Sequence, residues 1–396
     1  MTTPSSPPPR GETPPFWRDP AKRALLFQAL MLAALFMVVG FIVSNTLENL
    51  DARGITTGFG FLNDTAGFGI VQSLIDYTPQ SSYGRTFLVG LLNTLLVSAL
   101  GVFAATVIGF LMGIARLSPN WLIARIAGAY VEIFRNIPLL LQIFFWYFAV
   151  LRSLPSPRDS MSLGEAVFLN IRGLVVPAPV GGPGFVWTLV ALAVAVIAAI
   201  VLVRWNRRRQ EATGDRLPAG WISAGMIVAL PALVFVASGM PLTWDLPKLG
   251  GFNFSGGITV LPELLALWLA LSIYTGAFIA EIVRSGIQAV SHGQTEAARA
   301  LSLSGGMTLR LVVIPQAMRV IIPPLTSQYL NLIKNSSLAT AIGYPDLVSV
   351  FAGTTLNQTG QAIEVIMMTM AVYLTLSLLV SMFMNWFNAR MALVER

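Results

Sequence analysis

The sequence predicts an all-α integral membrane protein of about eight transmembrane helices. Three observations predict it. Hydrophobic residues make up 55% of the 396 residues and charged residues only 11%, against about 25% charged in a soluble domain. The apolar residues gather in eight runs that meet or approach the roughly 20 residues needed to cross a bilayer core. Basic residues fall unevenly between alternate connecting segments, as the positive-inside rule requires of a multi-pass chain. This composition excludes an ordinary cytosolic enzyme, a disordered chain and a coiled coil. Cysteine is absent, and His292 is the single histidine. Thiolate chemistry is excluded, and little room is left for imidazole chemistry.

The runs span residues 24–44, 86–115, 127–151, 184–203, 219–239, 259–284, 311–333 and 362–388. Residues 1–23, rich in Pro and Ser at the start, are expected to be a disordered cytoplasmic N-terminus. Residues 24–43 carry one polar side chain, Gln28, and no small-x-small cleavage site follows the run. They read as an uncleaved anchor. Residues 45–83 are an outside loop with Gly58, Gly60, Gly67 and Gly69. Within 86–115, Gly109 and Gly113 form a small-xxx-small pair suited to close helix contact, and Asn93 and Thr94 share that run. The runs at 184–203 and 219–239 are dominated by Val and Ala and hold almost no polar residue, as lipid-facing helices do. With their flanking loops, 153–183 and 240–258, they look like an insertion.

With the N-terminus inside, the inside segments and the inner halves of the runs bordering them hold 18 of the 25 Lys and Arg. Asp51, Asp64, Asp76, Asp159, Asp245 and Asp346 fall outside. The C-terminal tail, 389–396, then lies inside with Arg390 and Arg396. The run RWNRRRQ at 204–210 reads as a topology anchor rather than an anionic-lipid or nucleic-acid patch.

The most informative stretch is 284–315, RSGIQAVSHGQTEAARALSLSGGMTLRLVVIP, on the inside. Thr295 is expected to cap a short helix, with Glu296 in its first turn near the positive helix end. Ala297, Ala298, Ala300 and Leu301 favour the helix. Gly305 and Gly306 are expected to stop it. About ten residues make a helix too short to be stable alone in water, so it should dock on something. Ala297 and Leu301 give an apolar stripe flanked by Glu296 and Arg299, which suits a groove on a partner. A second short helix should begin near Met307, with Pro315 bending the start of the next span.

Here the sequence resembles a known family. Glu296-Ala297-Ala298, followed by Ile314-Pro315, is similar to the EAA motif of permease subunits of bacterial ABC importers. The blocks GAFIAEIVRSGIQAVSHGQTEAARALSLS (276–304), VVIPQAMRVIIPPLTSQYLNLIKNSSLATAIG (312–343) and YVEIFRNIPLLLQIFFWYF (130–148) resemble the polar amino-acid branch, which carries His, Glu, Gln, Arg and related substrates. The eight-span build with a Pro-rich N-terminus looks like a large permease of the general L-amino-acid uptake system. Three departures stand out. Ser302 replaces the usual glycine, Val312 and Ile314 replace Ile and Leu, and Asn136-Ile137 stands where the branch has Gly-Thr.

The resemblance implies a five-helix type-I permease core within 84–388, interrupted by the insertion at about 153–255, plus three extra helices and a periplasmic loop at 45–83. It implies residence in the bacterial inner membrane. It implies that Glu296, Ala297 and Ala298 seat in a groove of a separate ATPase dimer, with Arg299, Ser302 and Pro315 completing the coupling element. The implied partners are that ATPase dimer, a second and related permease chain, a periplasmic amino-acid-binding protein and the lipid bilayer, with no nucleic acid. No cofactor is expected on this chain, and ATP and Mg belong to the ATPase. The sequence agrees, because its lysines follow Ala21, Pro247 and Ile333, so no Gly-Lys phosphate loop exists.

Polar residues at membrane depth are the candidate substrate path. Asn331, Lys334, Asn335, Ser336 and Ser337 form one cluster, and Asn136 and Gln142 another. Lys334 would neutralise a carboxylate, and the amides and hydroxyls would bind an ammonium. Glu281 and Arg284, one turn apart, are expected to pair. A secondary transporter driven by ions is the alternative, with Glu281 as its main candidate, but no inverted repeat is evident. A membrane enzyme would need a catalytic constellation that one histidine and scattered acids do not supply.

Overall fold

A computed structural model describes residues 17, 19–52, 54, 57–215 and 217–391. Of the expected disordered N-terminus, residues 1–16 and 18 lie outside the described residues, as do residues 392–396 of the tail, whereas Pro20 to Arg23 are not disordered but form the first turn of a helix. Among the described residues, seven helices are long and apolar enough to cross a membrane, and a bent pair makes an eighth candidate.

The long helices are α1 (Pro20–Ala52), α2 (Tyr83–Ala115), α5 (Phe185–Thr213), α6 (Ala219–Ala237), α7 (Pro262–Gln288), α10 (Ile314–Asn335) and α11 (Ala362–Met391). The bent pair is α3 (Trp121–Asn136) and α4 (Leu139–Phe144), α4 continuing in wider turns to Val150. The run at 127–151, expected to be one span, is therefore two helices set at 107° to each other. The cause is Pro138. It has no N–H to donate, and it holds Ile137 at φ −95°, ψ 128°, outside the helical region.

The core is built around α7, the most buried of the spanning helices. It packs along α2 and against α3, α4 and α10. Leu267, Leu271, Ile279 and Ile322 are fully buried there. Gly109 and Gly113 let α2 close on α7. A Cβ on Gly109 would overlap Ile279, and one on Gly113 would sit 2.7 Å from the carbonyl oxygen of Ala280. Helices α5 and α6 pack principally on each other, with Ala191, Ala195 and Ala199 buried one turn apart. The apolar window of α1 buries nothing against the rest of the described chain.

The Pro/Gly-rich loops at 153–183 and 240–258 are not structureless. They hold β1 (Met161–Leu163), β2 (Val167–Asn170), β3 (Gly173–Val176), β4 (Ala178–Gly181), β5 (Leu242–Asp245), β6 (Lys248–Gly250), β7 (Asn253–Ser255) and β8 (Ile258–Val260). Strands β1-β2-β3-β8 form one antiparallel sheet, with Leu174 opposite Val260. Strand β4 pairs β5, and β6 pairs β7. The two loops flanking the α5–α6 hairpin are thus stitched together beside the start of α7.

Candidate functional site

Between α7 and α10 lie two short helices, α8 (His292–Ala300) and α9 (Gly305–Thr308). Helix α8 begins three residues before the expected cap. Ser291 is its N-cap, without a side-chain bond, and the Thr295 hydroxyl instead donates to the His292 carbonyl at 2.6 Å. The end also differs from expectation. Ser302 N–H donates to Arg299 O at 2.8 Å and Leu303 N–H to Ala298 O at 3.1 Å. These are the two bonds of a Schellman turn, which demands a left-handed residue between them. Ser302 occupies that position at φ +58°. Gly305 and Gly306, expected to stop α8, instead open α9, which Ser304 caps.

Within α8 the side chains divide. Glu296, Ala297 and Arg299 are exposed, and Leu301 just beyond is 76% exposed. Ala298 is buried against its own chain. Pro315 is half-buried at the first turn of α10, after a wide turn at Leu309–Val313.

The expected pairing of Glu281 and Arg284 is present and larger than a pair. Arg284 donates to both Glu281 oxygens, from Nε at 3.1 Å and from Nη2, and Arg116 Nη1 binds Oε2 of the same carboxylate. Glu132 lies 3.9 Å from Arg116.

At the break between α3 and α4, Gln142 is buried, and its Nε2 donates to Phe134 O and Ile137 O, each at 2.9 Å. Those carbonyls are left without helical partners by the break. Asn136 is exposed and donates to Glu132 O at 2.7 Å. In the other cluster, Asn331 and Lys334 are exposed and Asn335 is half-buried. The Ser336 and Ser337 hydroxyls donate to the carbonyls of Ile333 and Lys334, at 2.8 and 2.7 Å. Helix α4 touches the tight turn Ser336–Ile342 that follows α10. The fold thus brings the elements of both clusters into contact.

Sequence reasoning did not join a third polar group. Asn93 donates from Nδ2 to Gln72 O and Pro345 O, each at 2.9 Å. Thr94 Oγ1 accepts from Leu347 N–H at 3.0 Å, and the Tyr344 hydroxyl donates to Asn93 O at 3.1 Å. Asp346, fully buried, accepts from Ser349 N–H at 2.8 Å and from the Tyr373 hydroxyl at 3.4 Å. Loss of water pushes the Asp346 carboxyl up to about 7. The signal was available in part. Asn93 and Thr94 are adjacent polar residues in an otherwise apolar run, but nothing local names their partners some 250 residues away.

Comparison with known proteins decides the family. Over 378 residues the chain is 58% identical to YhdX of Escherichia coli (strain K12), whose name describes an amino-acid ABC transporter permease, covering 96% of each chain. The chain belongs to the amino-acid ABC transporter permease family. It is also 55% identical to the general L-amino acid transport system permease protein AapQ of Rhizobium johnstonii, covering 96% of this chain and 94% of that one. The family model described as "Binding-protein-dependent transport system inner membrane component" matches residues 215–393. A crystal structure of an amino acid ABC transporter with histidines aligns over 78% of this chain and 95% of its own, at 22% identity and a TM-score of 0.46. Members of this permease family are non-enzymatic, multi-pass membrane subunits of ABC transporters. Membership sets aside both the ion-driven transporter and the membrane enzyme.

Proposed function

We propose that this permease carries L-amino acids inward across the bacterial inner membrane as one half of a permease pair. A separate ATPase dimer drives it through α8, and a periplasmic binding protein delivers the substrate. ATP and Mg act on the ATPase. The observation that carries this reading is the division of α8. Ala298 and the Schellman turn at Ser302 fix the helix to its own chain, while Glu296, Ala297, Arg299 and Leu301 are left outward. A nine-residue helix gains little stability by itself, so an outward carboxylate beside small apolar residues suits a partner's groove. The excess of Lys and Arg at this end supports its being the cytoplasmic one. Asn331, Lys334 and Asn335 lie three and four residues apart on one face of α10 and supply groups for a zwitterion, with Asn136 exposed beside the break. The hydroxyls of Ser336 and Ser337 and the amide of Gln142 serve the backbone first.

The test is ATP-driven uptake in vesicles, with each amino acid presented by its binding protein. Glu296→Lys should abolish uptake while the variant still inserts and purifies in normal yield. Normal uptake by this variant refutes the docking role of α8.

A further inference from the structure

Beyond transport, we propose that the cavity between α2, α3 and α7 binds the phosphate of an anionic phospholipid. The cavity measures about 520 Å³. Arg116 and Leu117 line it from the end of α2, Arg125 and Gly128 from α3, and Arg284 and Gln288 from the end of α7. It therefore sits where two spanning helices stop, at the end of the bundle that carries α8.

The charges facing it do not cancel. Glu281 is shared between Arg116 and Arg284, and Glu132 lies within reach of Arg116 alone. Arg135, further along α3, is stacked over the Phe278 ring. Arg125 is exposed and has no carboxylate within ion-pair distance among the described residues. Arg284 and Arg116 are held in place by Glu281, so two guanidinium groups are already oriented at the rim. Guanidinium groups bind phosphate oxygens through paired N–H donors.

The surroundings favour a lipid over a soluble anion. Helix α4 follows α7 toward Glu263, which receives a 2.7 Å hydrogen bond from the Tyr147 hydroxyl. Helix α3, set at 107° to it, must then cross the bundle. It presents Trp121, Leu122, Ile123, Ile126 and Ile133 outward, all exposed, beside Arg125. An amphipathic helix of this kind lies in the headgroup region, with its apolar face toward acyl chains. Basic pockets between helices at this depth bind anionic headgroups. The cavity exists because small residues floor it, and a side chain on Gly128 would meet nothing of the chain within 4 Å.

The experiment is native mass spectrometry of the full chain, purified with its partner subunits and exchanged into nanodiscs. One set holds phosphatidylcholine alone and another includes phosphatidylglycerol or cardiolipin. One anionic lipid per copy of this chain should be retained, and phosphatidylcholine should not. Arg125→Gln should weaken retention roughly fivefold, and raised salt should do the same. Gly128→Leu, which fills the cavity and removes no charge, should abolish retention. Both variants keep every ion pair described above, so retention can be read on folded protein. Equal retention of neutral and anionic lipids would overturn the proposal, as would retention that survives both variants. Displacement by millimolar inorganic phosphate or by a free amino acid would also overturn it, because the site would then serve a soluble anion.

Discussion

The side-chain amide of Gln142 holds the carbonyl of Ile137 at 2.9 Å, across the break that Pro138 opens between α3 and α4. The same nitrogen holds Phe134 O at 2.9 Å. One buried amide thus satisfies two carbonyls that the helix cannot. Gln142→Leu keeps the volume and removes both bonds. It should destabilise the protein by about 1–3 kcal/mol, the worth of two lost hydrogen bonds. Denaturant titration in detergent, followed by tryptophan fluorescence, reads the change. A shift within error would mean that water replaces the amide.

Of the glycines in α2, Gly109 leaves the least room for a Cβ against α7. Gly109→Val should cost about 3 kcal/mol or more, because the branched side chain meets Ile279 with both helices already close-packed. Gly305→Ala is the matched control, since nothing lies within 4 Å of a Cβ there. Thermal stability in detergent should fall for the first and hold for the second.

Ser302 offers the opposite sign. At φ +58° its side chain costs about 1 kcal/mol relative to glycine. Ser302→Gly should slow hydrogen exchange at the amides of Ser302 and Leu303, and Ser302→Val should accelerate it. Glycine at this position would meet the demand of the Schellman turn without strain.

Asp346 sets a pH dependence. Its carboxyl, at about 7 in the fold, lies above its ordinary 3.8, so the folded state holds the proton more tightly than the unfolded chain does. The stabilisation is complete below about pH 4 and is lost as pH rises through 7. Stability should therefore fall by roughly a few kcal/mol between these limits, and Asp346→Asn should flatten the profile. Stability that rises with pH over this window in the parent, but not in the variant, would overturn the assignment.

The spanning helices were legible because a bilayer imposes a length and an apolar composition that no other constraint mimics. The break at Pro138 had a signal too, a proline inside an apolar run, but hydropathy averages across it. The strands at 161–181 and 242–260 were not legible. Each is three or four residues long and gains its partner only when two loops, separated by the α5–α6 hairpin, come together. The α8 region was legible in kind and misplaced in detail. Thr295 has the right chemistry for a cap, but Ser291 already turns the chain into the helix, and the hydroxyl bonds back to His292 O. The apolar stripe expected at Ala297 and Leu301 is outward, with Glu296 and Arg299 exposed beside it, whereas Ala298, between them in sequence, is buried against its own chain.

The α5–α6 hairpin closes on itself through Ala191, Ala195 and Ala199, and its flanking strands clasp one another. A unit that completes its own packing can be acquired between two existing helices without disturbing either. Substitutions in the alanine seam of the hairpin should therefore be felt within the hairpin and leave the α2–α7 contact as it is.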